Sequence, residues 1–416
     1  MNIGIVSTWF ERGAAYVSKQ YMDAFVSQGH QVKIYARGGE RFAKGDPVWD
    51  GEHVYWQRSN TFPIFNYVEL SEFKNWVKDN NFDFILFNEQ VWFEPVIFCR
   101  KQGIKVGAYI DYYTEPMIPC FNIYDFVICN TQKHYKAFKN HPNPIYIPWG
   151  TDTTLFDATH SREPSDNVRF FHSCGMNPHR KGTDLLLKAY LSMTDDELLG
   201  TQLIIHSQVS RQQFISVLDD NEKIRFGLLD GKQIQVVDQT VTAPGLYHLG
   251  DVYVYPSRLD GLGLTVCEAI SCSMPIIVPD DGPMNEFATG KYDKKVKVDK
   301  LYARYDGYYW PQNEVDVCDL KLKMLDTKNT IISNKFDILE SVRHQAIDKF
   351  NWLSNAKCLA EIIKEIAVTD VSDLDIKRCS DFNEKKFPKI IKYKKLYKFL
   401  FSAYIRFMKQ VMMPTY

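Results

Sequence analysis

Two carboxylates, Asp260 and Glu268, stand eight residues apart in the stretch Tyr253 to Asp280, with the turn Gly261-Leu262-Gly263-Leu264 directly after the first. Upstream, Arg180 and Lys181 close a loop that begins at Gly175 and ends at Gly182, just before an apolar-periodic segment. A basic pair at a helix start opposes the helix dipole, whereas an anion there meets unpaired backbone amides, so the pair points to a bound anion. The plainer alternatives are a solvated basic pair and two acids on a surface helix.

The elements that must hold these groups are legible. Val252 to Tyr255 reads as a buried strand, Gly261 and Gly263 as a turn, the chain from Leu264 as a helix, and Pro275 to Val278 as a second apolar strand. Asp260 and Glu268 are then little more than two helical turns apart and can face one ligand. Val168 to Ser173 is expected to feed the Gly175 loop, and Thr183 to about Met193 to form the helix after it. Asp280 to Glu286 follows the second strand as a loop of turn formers around Gly282, with Glu286 at its end.

The first half of the chain repeats this alternation, the sequence form of a parallel sheet with crossover helices. Strands are predicted near Ile3 to Ser7, Val32 to Ala36, His53 to Gln57, Phe82 to Phe87, Lys105 to Asp111, Phe126 to Asn130 and Ile145 to Pro148. Ligands in such sheets sit at the carboxyl ends of the strands, the region of Arg12, Gly13, Asn88, Glu89, Asp111, Tyr112, Tyr113 and Asn130. A turn with Gly13 at the mouth of a helix could cradle an anion or be a plain tight turn.

The stretch around Asp260 and Glu268 resembles the donor-sugar motif of the group 1 (family 4-type) retaining glycosyltransferases: an acid, seven residues, then Glu, with Gly-x-Gly after the first acid. Asp260 stands where Glu is more usual. Lys181 and Gly182 resemble that family's Gly-Arg-x-x-x-x-Lys-Gly phosphate loop, with Met176 in the arginine position and Arg180 as a possible helper. A methionine cannot donate a hydrogen bond to phosphate. Ile147 to Asp152 and Phe350-Asn351-Trp352 resemble the segments where such chains leave and rejoin the first domain. The resemblance implies an α/β GT-B fold, with two Rossmann-like parallel-sheet domains facing across a cleft. The expected layout is residues 1–160 on the acceptor side, 166–349 for the nucleotide-sugar donor, a returning helix at 350–368 and a tail at 385–416.

By the same resemblance Lys181 holds the donor diphosphate, Glu268 the nucleotide ribose, and Asp260 the sugar hydroxyls, while Gly175, Gly261 to Leu264, Gly282 and Glu286 line the donor. The family's first-domain histidine falls near Ile110-Asp111, where there is none; Asp111 is the expected substitute. The implied reaction needs a nucleotide-sugar and a glycan or lipid-linked acceptor of the O-antigen or capsule type, and neither metal nor other cofactor. The alternatives are an inactive sugar-nucleotide-binding scaffold and a GT-B epimerase. A Rossmann dehydrogenase is set aside because Gly261-x-Gly263-x-x-Val266 lacks the third glycine.

Composition fits this. The 416 residues, 45% hydrophobic and 24% charged, suffice for two domains with cores of their own. The nine cysteines are scattered, which favours free thiols over a disulfide frame or zinc site. No signal peptide or spanning segment is evident. Of the 50 Lys and Arg, nine lie in the last 32 residues, which hold no acid, leaving 41 basic against 51 acidic in the body. Within that tail Ile390, Tyr393, Tyr397, Leu400, Phe401, Tyr404, Met408 and Val411 share one helical face and lysines lie opposite, as in a basic amphipathic membrane anchor. The expected place is the cytoplasm, peripheral on the inner membrane face, with nucleic acid excluded by the acidic body; a helix packed on that body or on a partner is the alternative.

Overall fold

A computed structural model describes residues 1–37, 40–58, 67–159, 161–368 and 370–386. The expected amphipathic helix of the tail falls outside them. The described chain forms two units: Met1–Cys129, His134–Ile147 and the residues from Ala356 onward make the first, Asn130–Lys133 and Pro148–Asn355 the second.

The first unit holds seven parallel strands: β1 (Asn2–Ser7), β2 (Gln31–Ala36), β3 (Val54–Trp56), β4 (Phe84–Asn88), β5 (Lys105–Tyr109), β6 (Phe126–Cys129) and β7 (Pro144–Tyr146). Their order is β3-β2-β1-β4-β5-β6-β7. The second unit has six parallel strands: β8 (Val168–Gly175), β9 (Thr201–Ser207), β10 (Ile234–Asp238), β11 (Val252–Val254), β12 (Ile276–Pro279) and β13 (Lys294–Val296). They lie in the order β10-β9-β8-β11-β12-β13. Every residue of β4, β6, β11 and β12 is buried. That explains their unbroken apolar runs, because a parallel sheet is covered on both faces.

Strand order decides where chemistry can happen. In each sheet the chain turns outward in opposite directions from a central strand pair, leaving a crevice at their carboxyl ends. In the second unit the pair is β8 and β11, which deliver the Gly175–Gly182 loop and the Asp260 turn to the same spot. In the first it is β1 and β4, which deliver Arg12-Gly13 and Glu89.

The predicted strands all have counterparts here. The sequence pattern did not foretell β13 or the antiparallel hairpin β14 (Val298–Tyr302) and β15 (Gln312–Val315), whose strands are mostly part-exposed and polar. All nine cysteines are free thiols, seven of them buried. Among the described residues no helix is long and apolar enough to cross a membrane.

Candidate functional site

Lys181 reaches the site because of the glycine after it. Gly182 has φ 72°, and a Cβ there would lie 2.0 Å from the Pro256 carbonyl oxygen, so only glycine lets the loop after β8 press against the end of β11. The helix Thr183–Leu191 starts at once. It is pinned by His172, whose Nδ1 lies 2.8 Å from the Val254 carbonyl oxygen and whose Nε2 lies 2.8 Å from the Thr183 hydroxyl. Burial pushes that imidazole down to about 4, which makes it a neutral structural residue.

Asp260 is the centre of the cluster. Lys181 Nζ donates to its Oδ2 at 2.6 Å and Arg180 Nη1 to its Oδ1 at 3.2 Å. The Tyr255 hydroxyl donates to Oδ2 as well, and Lys181 contacts both that hydroxyl and the ring face, 4.7 Å from its centroid. Burial alone would raise the Asp260 carboxyl, but Lys181 and Arg180 outweigh it and hold it well below the usual carboxylate range. Burial pulls Lys181 down to about 8 against the opposing pull of Asp260.

Arg258 is a positioning residue that sequence reasoning missed. It forms a two-pronged pair with Asp184 at 2.6 and 2.7 Å, and donates to the His179 carbonyl at 2.7 Å. Its backbone amide meets the Arg180 carbonyl at 2.8 Å. The basic loop and the acidic turn are thereby one rigid piece; the only signal in sequence was an arginine two residues before Asp260, just past a buried strand.

Glu268 lies on the helix Leu264–Ser271, which opens from Gly263 at φ 81°. Burial raises its carboxyl to about 7, opposed by the hydrogen bond from the Tyr247 hydroxyl and by the charge of Lys181. Leu262 is buried and Gly261 half-buried in the turn, and Gly175 ends β8 at φ 54°.

Met176, in the expected arginine position, is 76% exposed. Glu286 has partners within its own unit: its oxygens accept the backbone amides of Gln132 at 2.6 Å and Lys133 at 2.9 Å, residues that group with the second unit. Lys133 Nζ in turn reaches the Gly282 carbonyl at 2.5 Å. Both Glu286 oxygens thus have a structural task, as expected of an acid at a helix N-terminus.

The first unit is better furnished than its sequence suggested. Asp111 lies just past β5, where it accepts the Tyr109 hydroxyl at 2.6 Å, and His134 Nε2 is 3.6 Å away. An imidazole therefore does stand at this site, supplied by the helix Gln132–Phe138 and not by a strand end. Glu89, past β4, has φ 54° and accepts the Asp111 amide at 2.5 Å. Burial, then the Asp111 charge, raises its carboxyl to about 8. Arg37 is buried behind it but donates to the carbonyls of Asn88 and Glu89 and to the Gln90 side chain. Arg12 and Gly13 open the helix Gly13–Ser27, with the Arg12 carbonyl accepting the first amides.

Comparison with known proteins bears on the second unit. Residues 168–301 match the family "Glycosyl transferases group 1". The lipopolysaccharide core biosynthesis mannosyltransferase LpsB of Rhizobium meliloti (strain 1021) is 26% identical over 181 residues, which are 41% of this chain and 50% of that relative. The chain thus spans half the length of this curated relative. Among solved structures, a glycosyltransferase from Rickettsia africae ESF-5 superposes with a TM-score of 0.66 at 17% identity, covering 88% of this chain and 98% of that one. The pneumococcal O-GlcNAc transferase GtfA, in complex with UDP and GlcNAc, superposes at 0.62 with 13% identity, covering 88% and 99%. Both likenesses concern the fold. The match to the group 1 glycosyl transferases is thus confined to residues 168–301, and the two parallel-sheet units have the GT-B fold.

Proposed function

We propose that the protein is a retaining glycosyltransferase that moves a hexose from a nucleotide-sugar to a lipid-linked or surface-polysaccharide acceptor. The observation that carries this is the cluster of Lys181, Arg180, Asp260 and Tyr255 at the crevice of the second sheet. In the transfer the bond between the anomeric carbon and the diphosphate breaks, and its electron pair leaves with the diphosphate. The acceptor oxygen bonds that carbon and passes its proton to the departing diphosphate oxygen, which holds the electron pair. Lys181, with Arg180, neutralises the charge building on the leaving diphosphate, the task that fixed donors perform best in a site shielded from water. Glu268 accepts ribose hydroxyls, and Asp260 the hydroxyls of the donor sugar. On the acceptor side the reading assigns Asp111 with its neighbour Glu89. Side chains carry the phosphate charge, so turnover should survive a chelator.

The lipopolysaccharide-pathway relative and the basic tail support an acceptor at the cytoplasmic face of the membrane, with the protein held there peripherally by residues 385–416. A panel of UDP-, GDP- and TDP-sugars tests the reaction: nucleotide release that disappears in Glu268→Ala supports it, and donor binding without turnover on any acceptor sinks it. A scaffold reading is favoured by one observation, the exposed Met176 in the arginine position. Deleting residues 385–416 should move the protein from the membrane pellet to the supernatant.

A further inference from the structure

The two cations assigned to the donor diphosphate already have an anion. Asp260 engages Lys181 through one carboxylate oxygen at 2.6 Å and Arg180 through the other at 3.2 Å, while Tyr255 holds the first oxygen in place. Arg180 is anchored besides by the Leu259 carbonyl at 2.9 Å, and Arg258 ties its loop to the Asp260 turn. Neither cation can swing far from the carboxylate, and the carboxylate cannot leave without breaking both pairs. Only 13% of the Lys181 side chain and 14% of the Asp260 side chain are exposed, so solvent does little to weaken the pair.

We propose that Asp260 is an internal counter-ion that competes with incoming phosphate for Lys181 and Arg180, and so selects diphosphates over monophosphates. The inference rests on the assignment of those two cations to the donor diphosphate. A monophosphate offers one centre of charge and, in taking the cations from a carboxylate that already bridges them, exchanges one bridge for another. A diphosphate brings two phosphoryl groups, one for each cation, and more charge than the carboxylate it displaces. Once released from the cations, Asp260 is free to accept sugar hydroxyls. Recognition of the sugar is thereby linked to arrival of the diphosphate.

The test uses the full chain with inorganic pyrophosphate and inorganic phosphate as probes, titrated by calorimetry. Asp260→Asn keeps the shape and removes the charge; it should tighten pyrophosphate by ~10-fold, tighten phosphate more, and narrow the ratio between them. Lys181→Ala should abolish the gain. Pyrophosphate binding that is unchanged or weaker in Asp260→Asn overturns the proposal, as does an unchanged ratio. Removing the charge leaves Lys181 without its partner and could unfold the variant, so Tyr255→Phe provides a second measurement. Loss of that hydroxyl loosens the carboxylate and should tighten pyrophosphate by ~2–3-fold; no change, or weaker binding, again overturns it. The probes carry no nucleotide or sugar. If no donor is turned over yet Asp260→Asn tightens pyrophosphate, the counter-ion stands and the transferase reading fails. If donors are turned over but neither wild type nor Asp260→Asn binds pyrophosphate at about 10 mM, the counter-ion fails alone.

Discussion

The crevices of the two sheets carry opposite chemistry on the same topology. After β8 and β11 come two cations gathered on one carboxylate, Lys181 and Arg180 on Asp260. After β4 and β5 come two carboxylates, Glu89 and Asp111, and the buried Arg37 beside them donates to backbone carbonyls and a glutamine. The first arrangement lowers its carboxyl and suits an anion; the second raises a carboxyl and suits hydroxyl groups. On the proposed function, one fold would thus offer a phosphate side and a polyol side by changing the residues that follow its strands.

The largest break in this contrast should come from Lys181→Ala. Loss of one buried charged donor to a leaving group costs on the order of 10²–10³ in kcat/KM, and steady-state turnover of the preferred nucleotide-sugar would show it. Glu89→Ala should leave affinity for the free nucleoside diphosphate within about 2-fold, since it removes no phosphate contact. An equal loss of nucleotide affinity in both variants would erase the distinction between the two crevices.

Glu268→Gln should act next most strongly, through pH. Burial raises the folded-state carboxyl to about 7, above its unfolded value of 4.5, so ionising it costs stability. That cost is absent well below the unfolded value, grows as pH rises and is complete above about 7. The glutamine variant should therefore gain on wild type with rising pH, by on the order of 2 kcal/mol at about pH 8, read as the difference in Tm between the two proteins. A constant difference from about pH 4 to 8 would mean the carboxyl is solvated.

Glu89 sharpens the comparison further because its shift has a second cause. Its carboxyl lies at about 8, pushed first by burial and then by Asp111. Glu89→Gln should gain on wild type over the window that ends near 8, and Asp111→Asn should shrink that gain by roughly 1 kcal/mol. The same Asp111→Asn change should leave the pH profile of Glu268→Gln untouched. Tm measurements across this pH range on the single and double variants separate coupled acids from independent ones.

The crevice of the second unit is legible in the sequence because its parts are local. The turn at Gly261 to Leu264, the acid eight residues on and the Lys181-Gly182 step are fixed by backbone needs that sequence displays directly. What is illegible is what folding brings from afar. His134 arrives at Asp111 from a helix in another crossover, and Arg258 joins Asp184 across 74 residues. The oxygens of Glu286 meet the amides of Gln132 and Lys133, a pairing with a sequence separation above 150. The strand end at Glu89 is readable but its backbone is not, since a positive φ at a glutamate is imposed by surroundings and opposed by local preference.

The smallest effect concerns Met176, and it asks whether the cation set is complete. At 76% exposure the methionine packs against little, so Met176→Arg should change stability by no more than about 0.5 kcal/mol. If the crevice lacks a cation at that position, the new guanidinium should tighten a nucleoside diphosphate by roughly 2–5-fold, with the gain fading at high salt because the position is open to solvent. If Arg180 already fills the role, the single change should do nothing, whereas the same substitution placed in Arg180→Ala should recover part of the lost affinity. Arg180 is held by the Leu259 carbonyl and by Asp260 beside Lys181, so on the proposed function it already serves the diphosphate and the second outcome is the expected one. Rescue without gain would show that one cation moved four residues along the loop while its function stayed in place; gain without rescue would show that the loop here works with one cation fewer.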